Sequence, residues 1–328
     1  RDTSVGKRVL RREVPLTQRL FDGHCDTILR CYLDGGPLRD RAGQLNLCRT
    51  RVFPRYAQFF ALFGSAEDTP GLELWEVLRA QYALFRWEMD RNADLIAFCR
   101  GAGEAEAAFA SGRSAAFLSV EGAEMLNCDL GKLEEAHRMG VRAVNLTWNH
   151  ANALSGSNAE APERGLNALG RDFVRRMEAL GMLVDVSHLS DPGFWDVAAC
   201  ARGPLFASHS NARAVYSDQR NLTNSQFTAI IESDGVAGLN MYAPFLGEDP
   251  DLDTVVAHLE HFLALGGARH VSIGGDWDGA SRLPRGMDGV WDMEKLAERL
   301  LRRNYSEPLI DAVFYTNLMR VVTKICIT

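Results

Sequence analysis

His24 and Asp26 stand two residues apart in the segment Asp22-Gly23-His24-Cys25-Asp26. In an extended chain, side chains at that spacing point to the same side, so both can reach one cation while Cys25 points away. Neutral imidazole together with carboxylate suits Zn²⁺. Four further segments put a similar residue directly after a short apolar run. Phe117–Val120 leads into Glu121, Val184–Ser187 into His188, Phe206–Ser208 into His209, and Ile273–Gly275 into Asp276. A strand normally ends in a turn of Gly, Asn, Asp or Ser, and histidine is not a usual choice there. Five apolar runs ending this way read as one constellation.

The number of ligands suits two ions. His24 and Asp26 would hold one, His188 and His209 the other, and Glu121 would lie between them. A carboxylate has two oxygens and can serve both ions at the ~3.5–4 Å separation of two-metal hydrolytic sites. Only Lys7, Lys132, Lys295 and Lys324 occur, and none ends an apolar run, so no carboxylated lysine is placed to act as the bridge. His137, His258 and His261 fall on amphipathic helical stretches and read as surface or internally satisfied residues. His270 precedes the last apolar run, on the side away from the constellation.

The elements that must position these residues alternate along almost the whole chain. Apolar runs at Leu20–Phe21, Ala57–Phe63, Ala115–Val120, Ala143–Leu146, Leu183–Val186, Leu205–Ala207, Val236–Leu239 and Val271–Ile273 read as strands. Helical patterns separate them, among them Leu72–Phe98, Asn167–Leu180, Asp253–Leu265 and Met293–Arg302, with Glu307–Val322 closing the set. Continuous apolar strands alternating with helices indicate a parallel sheet covered by helices. Eight of them favour an α/β fold of the (β/α)₈ TIM-type barrel, whose C-terminal strand ends converge on one active face. No G-x-G-x-x-G turn follows the first run, as an open dinucleotide-binding sheet would require. With no dividing linker, one domain over residues 1–328 is expected, and the long mixed stretch 30–56 is a candidate lid or side-wall loop.

The net charge of −7 argues against nucleic acid as a partner. Seven unpaired-looking cysteines without a C-x-x-C spacing read as reduced thiols of a cytoplasmic protein. No apolar run approaches the roughly 20 residues of a membrane span, and the Arg-rich start does not read as a secretory leader. No membrane association is expected, and a homodimer is the commonest default assembly.

Together, Asp22-Gly23-His24-x-Asp26, Val120-Glu121-Gly122, Asp185-x-Ser187-His188, Ser208-His209-Ser210 and Gly274-Gly275-Asp276-x-Asp278-Gly279 resemble the signature segments of the membrane (renal) dipeptidase family. The similarity runs in order from about residue 20 to about residue 320. It implies an amidohydrolase-like barrel with a binuclear zinc centre that hydrolyses dipeptides, commonly with a D-residue at the C-terminal position. It also implies that His24, Asp26, Glu121, His188 and His209 are the metal ligands. Asp276 corresponds to the catalytic acid/base, and Arg220 to an arginine gripping the substrate carboxylate. On composition alone, Arg220 would be read as a surface residue.

The chain departs from the family at one point. Where many members carry Leu-Thr-His, it has Leu146-Thr147-Trp148-Asn149-His150, so Trp148 takes the place of a histidine that contacts the substrate carbonyl. His150 is the residue expected to take over that contact. Asn240 and Tyr242 end the seventh run and either line the pocket or serve the structure. Asp278 reads as a turn residue or as an alternative proton carrier. Two rival functions remain at this point: another amidohydrolase chemistry, on N-acyl amino acids or lactones, and a metal-binding barrel without catalysis.

Overall fold

The computed structural model describes residues 19–326. The reading of the Arg-rich start, and the ends of the expected 1–328 domain, lie outside these residues. The described strands are β1 (Leu20–Asp22), β2 (Tyr56–Leu62), β3 (Ile96–Phe98), β4 (Ser114–Val120), β5 (Val141–Asn145), β6 (Leu183–Asp185), β7 (Phe206–Ala207), β8 (Val236–Leu239) and β9 (Val271–Ile273). All neighbouring strands pair in parallel, in the order β2-β1-β9-β8-β7-β6-β5-β4, and β4 returns to β2 to close an eight-stranded barrel. Each of the eight anticipated runs is a barrel strand.

β3 was not anticipated. It pairs only with the start of β4, at Ser114–Ala116, and lies outside the closed ring. The helix expected over Leu72–Phe98 is shorter and ends at Arg91 (α2, Leu74–Arg91, following α1, Thr27–Asp34). Asn92 stops it: the Asn92 amide donates to the Glu88 carbonyl at 2.8 Å and to the Glu88 carboxylate at 2.9 Å, competing with helix continuation. The last helix is also interrupted, with a π-helical turn at Ala312–Thr316 between Glu307–Asp311 and Asn317–Ile325.

Along β2 and β4 the side chains alternate between two apolar layers. Ala57, Phe59, Ala115 and Phe117 face the barrel interior with Phe21 and Phe206, whereas Tyr56, Phe60, Leu62, Ala116 and Leu118 pack outward against helices. The interior rings pack on one another, Phe21 stacked on Phe117 at 5.1 Å and Phe59 tilted against Phe206 at 6.0 Å between centroids. Tyr315 and Leu318 of the C-terminal helical segment join the same cluster. The barrel is therefore filled, not hollow, and ligands can enter only at its mouth.

Loops at the mouth are tied together by buried polar groups. His258, on the helix Leu252–Ala264, accepts the Ala212 N–H on Nδ1 and donates from Nε2 to the Leu246 carbonyl, both at 3.1 Å. This links the loop after β7 to the loop after β8. Burial pushes its pKa down to about 4. Folding thus favours the neutral ring, so its stabilisation is complete above the unfolded value near 6.5 and is lost as pH falls toward 4. Between pH 7 and pH 5 the loss amounts to about 2 kcal/mol. Urea midpoints at the two pH values are expected to differ accordingly, and His258→Gln is expected to flatten that dependence. An unchanged slope in the variant would remove His258 from this role.

Candidate metal centre

His24 and Asp26 follow β1, Glu121 follows β4, His188 follows β6, His209 follows β7 and Asp276 follows β9. In a closed parallel barrel these ends meet at one face. Two buried carboxylates hold the ends in register. Asp22 accepts from the His24 and Gly275 backbone N–H groups, and from the Trp277 indole at 2.8 Å. Asp185 accepts from the N–H groups of Ser187 and Ser208, each at 3.0 Å. His188 (φ 68°) and Asp276 (φ 58°) sit in the left-handed backbone region, which few non-glycine residues adopt and which recurs at functional sites. Gly279 leaves room for this loop, because a Cβ there would run into the carboxylates of Asp26 and Asp276.

The structure brings all six side chains together, each buried. His24 Nε2 lies 3.5 Å from Glu121 Oε2, 3.7 Å from Asp26 Oδ2 and 4.0 Å from Asp276 Oδ1. The other oxygen, Glu121 Oε1, lies 3.0 Å from His188 Nε2 and 3.4 Å from His209 Nε2. The His24 and His209 rings stack at 3.8 Å. Candidate ligand atoms of His24, Glu121 and His209 fall within 4.8 Å of one another, as do those of His24, Asp26 and Asp276.

So many titratable groups in one dry cluster disturb one another. Burial pushes the Glu121 carboxyl up to about 8, opposed by His24. It pushes Asp276 up to about 7, again opposed by His24 and assisted by Asp26. Burial holds His188 and His209 well below the ordinary imidazole range. It works the same way on His24, but the carboxylates of Glu121 and Asp26 outweigh it and raise that ring.

The donor set fits a metal. Both ring nitrogens of His24 and Asp26 Oδ1 are buried without a hydrogen-bond partner, a cost that coordination would remove. His188 Nδ1 donates to Asn149 Oδ1 at 3.0 Å, which leaves the Nε2 lone pair directed inward. Ser208 Oγ engages His209 Nδ1 at 2.6 Å. Asn149 and Ser208 thus orient two imidazoles through their outer nitrogens. Ser208 was visible within Ser208-His209-Ser210, whereas nothing in the sequence marked Asn149 beyond its position next to Trp148.

A cavity of about 290 Å³ opens beside the cluster and is lined by Phe63, Trp148, Tyr242 and Phe245 as well as by Glu121 and Asp276. Asn240 reaches Asp276 Oδ2 from Nδ2 at 3.2 Å. Arg220 is buried rather than exposed; its Nη1 donates to Ser210 Oγ at 2.7 Å, and its Nε and Nη2 have no partner. His150 is not brought to the cavity. Its side chain is 56% exposed and its Nδ1 lies 3.2 Å from Glu160 Oε2, on the outer side of Trp148. Asp278 faces the 30–56 stretch: it accepts from Thr27 Oγ1 at 2.7 Å and the Gln44 N–H at 2.8 Å, and pairs with Arg41 at 3.0 Å. Those three partners commit it to the wall of the mouth instead of to proton transfer.

A filled parallel barrel whose strand ends gather three imidazoles and three carboxylates beside a small cavity defines a metal-dependent hydrolase. The chain belongs to the membrane dipeptidase family (peptidase family M19), whose model matches residues 10–326. A Klebsiella pneumoniae protein described as an uncharacterized protein in the pqqA 5' region is 32% identical over 262 residues, covering 76% of this chain and 96% of that protein. A Rhodobacter sphaeroides metallopeptidase, solved with a phosphinate mimic of the dipeptide L-Ala-D-Ala, matches with a TM-score of 0.86 at 29% identity, covering 94% of this chain and 99% of that one. A further metallopeptidase of the same family, a dipeptidase, matches with a TM-score of 0.85 at 28% identity, covering 94% and 99%. No helix among the described residues is long and apolar enough to cross a membrane.

Proposed function

We propose that this metallopeptidase is a binuclear zinc dipeptidase, with His24 and Asp26 on one ion, His188 and His209 on the other, and Glu121 shared. One observation carries the reading. The two oxygens of Glu121 divide the histidines, Oε2 facing His24 and Oε1 facing His188 and His209. When bound, such a pair supplies an acidified water as nucleophile and a Lewis acid for the carbonyl oxygen.

The chain's own residues supply the rest. Asn240 engages Oδ2 of Asp276, which leaves Oδ1 to take a proton from the attacking water and release it to the leaving amine. Arg220 offers Nε and Nη2 to the substrate's C-terminal carboxylate, a two-pronged contact that restricts substrates to short peptides. Dipeptides ending in a D-residue are included, a reading supported by the L-Ala-D-Ala mimic held by the Rhodobacter sphaeroides metallopeptidase. All seven cysteines are free thiols, which supports a cytoplasmic setting.

The test is release of free amino acids from L-L and L-D dipeptides, with N-acyl amino acids and a lactone as controls, before and after chelation. Metal analysis is expected to find about two zinc ions per chain, and activity is expected to vanish with chelator and return with zinc. Cleavage indifferent to metal removal, or activity confined to the controls, would overturn the proposal.

A further inference from the structure

We infer that Phe63 and Trp148 form the wall that receives the side chain of a substrate's amino-terminal residue, so that the enzyme selects dipeptides beginning with a large apolar residue. The inference rests on the proposed dipeptidase reading and adds a preference that the ligand cluster alone does not set.

Barrel order fixes the geometry. Around the ring β1-β2-β4-β5-β6-β7-β8-β9, β8 lies across from β4. Phe63 directly follows β2 and Trp148 follows β5, so the two flank β4 and its Glu121. Their rings meet at 4.8 Å between centroids. On the opposite wall Tyr242 and Phe245, from the loop after β8, form a second pair at 4.8 Å, and the Arg220 guanidinium lies 5.6 Å from the Phe245 ring. A dipeptide whose carboxylate is held by Arg220 therefore has its C-terminal residue on the β7–β8 side. Its scissile bond crosses the cluster, and its first residue reaches the β2–β5 side. In a cavity of only about 290 Å³, that side chain has Phe63 and Trp148 as its apolar neighbours, with Leu29 beside them.

The wall is also held in place. Glu124 accepts from the Trp148 backbone N–H and, at 2.8 Å, from the Asn152 amide, bracing the loop, and the His150 ring backs the indole at 5.5 Å. A rigid aromatic surface binds an apolar side chain without first losing conformational freedom of its own. Arg30, Glu67 and Asp68 lie exposed at the rim, whereas Phe63 and Trp148 themselves offer no charge to pair with an ionic first side chain.

The experiment measures kcat/KM of the metal-loaded enzyme for X–D-Ala dipeptides with X = Gly, L-Ala, L-Leu and L-Phe, in the wild type, Trp148→Ala and the milder Phe63→Leu. The wild type is expected to favour Leu and Phe over Gly by about tenfold or more. Trp148→Ala is expected to cut that ratio to about two- to threefold, and Phe63→Leu to reduce it partly, chiefly for Phe. A wild-type ratio near one, or a ratio that survives in both variants while all rates fall together, would overturn the inference. Cleavage of no member of the series by the wild type would fail the dipeptidase reading itself, and this inference with it.

Discussion

Replacing Asp276 with Asn is expected to leave a folded, fully metal-loaded protein whose turnover has dropped by roughly 10²- to 10⁴-fold. The substitution keeps the shape of the side chain and an oxygen for the Asn240 contact at Oδ2. It also spares the backbone, which is fixed by the Asp276 N–H to the His24 carbonyl at 3.1 Å and by the Ala280 N–H to the Asp276 carbonyl at 2.8 Å. The ability to exchange a proton is removed, together with the negative charge of the carboxylate. Burial, reinforced by Asp26 and opposed by His24, pushes this carboxyl up to about 7, and bound cations would pull it back toward the ionised form that accepts a proton. Because Asp276 also lies within ligand distance of His24 and Asp26, zinc must be counted in the same preparation. Lost metal would make Asp276 a ligand first, and retained turnover would end its role in proton transfer.

Arg220→Met is expected to separate activity from stability. Arg220 is 4% exposed, with two guanidinium nitrogens unpartnered, and burial lowers its pKa against the pull of Asp276 and Glu121. A desolvated charge of this kind costs folding free energy, so an apolar side chain of similar length is expected to leave resistance to urea unchanged or raise it. Two charge-assisted hydrogen bonds to substrate, at about 1.5–3 kcal/mol each, correspond to a loss in kcat/KM of roughly 10²- to 10³-fold or more. Dipeptide amides, which lack the carboxylate, are expected to be cleaved slowly by wild type and variant alike. An equal loss on amides and free dipeptides would show that Arg220 shapes the site without gripping the carboxylate.

What the sequence disclosed followed from periodicity and strand ends. All eight barrel strands were legible because each is buried on both faces, which leaves a short, unbroken apolar run bounded by turn residues. β3 was missed because Leu95, Ile96 and Phe98 continue the apolar spacing of α2, and only Asn92 marks the break. The six clustered residues could be found because each lies within four residues of the end of its strand. His150 misled because two residues of loop decide whether a side chain faces inward, and here the Glu160 pairing turns it out. The wall formed by Arg41 and Asp278, and the orienting contact from Asn149, involve partners tens to hundreds of positions apart, which spacing cannot reveal.

The paired roles of Asp22 and Asp185 have a consequence for redesign. Asp22 fastens His24 to the Gly275–Trp277 turn, and Asp185 fastens the strand ends carrying His188 and His209; the two carboxylates share no hydrogen-bond donor. The mouth is thus assembled on two independent anchors. The halves then meet at the side chains, where the His24 ring lies on His209 and Glu121 faces both, so a change at one anchor reaches the other half through those contacts.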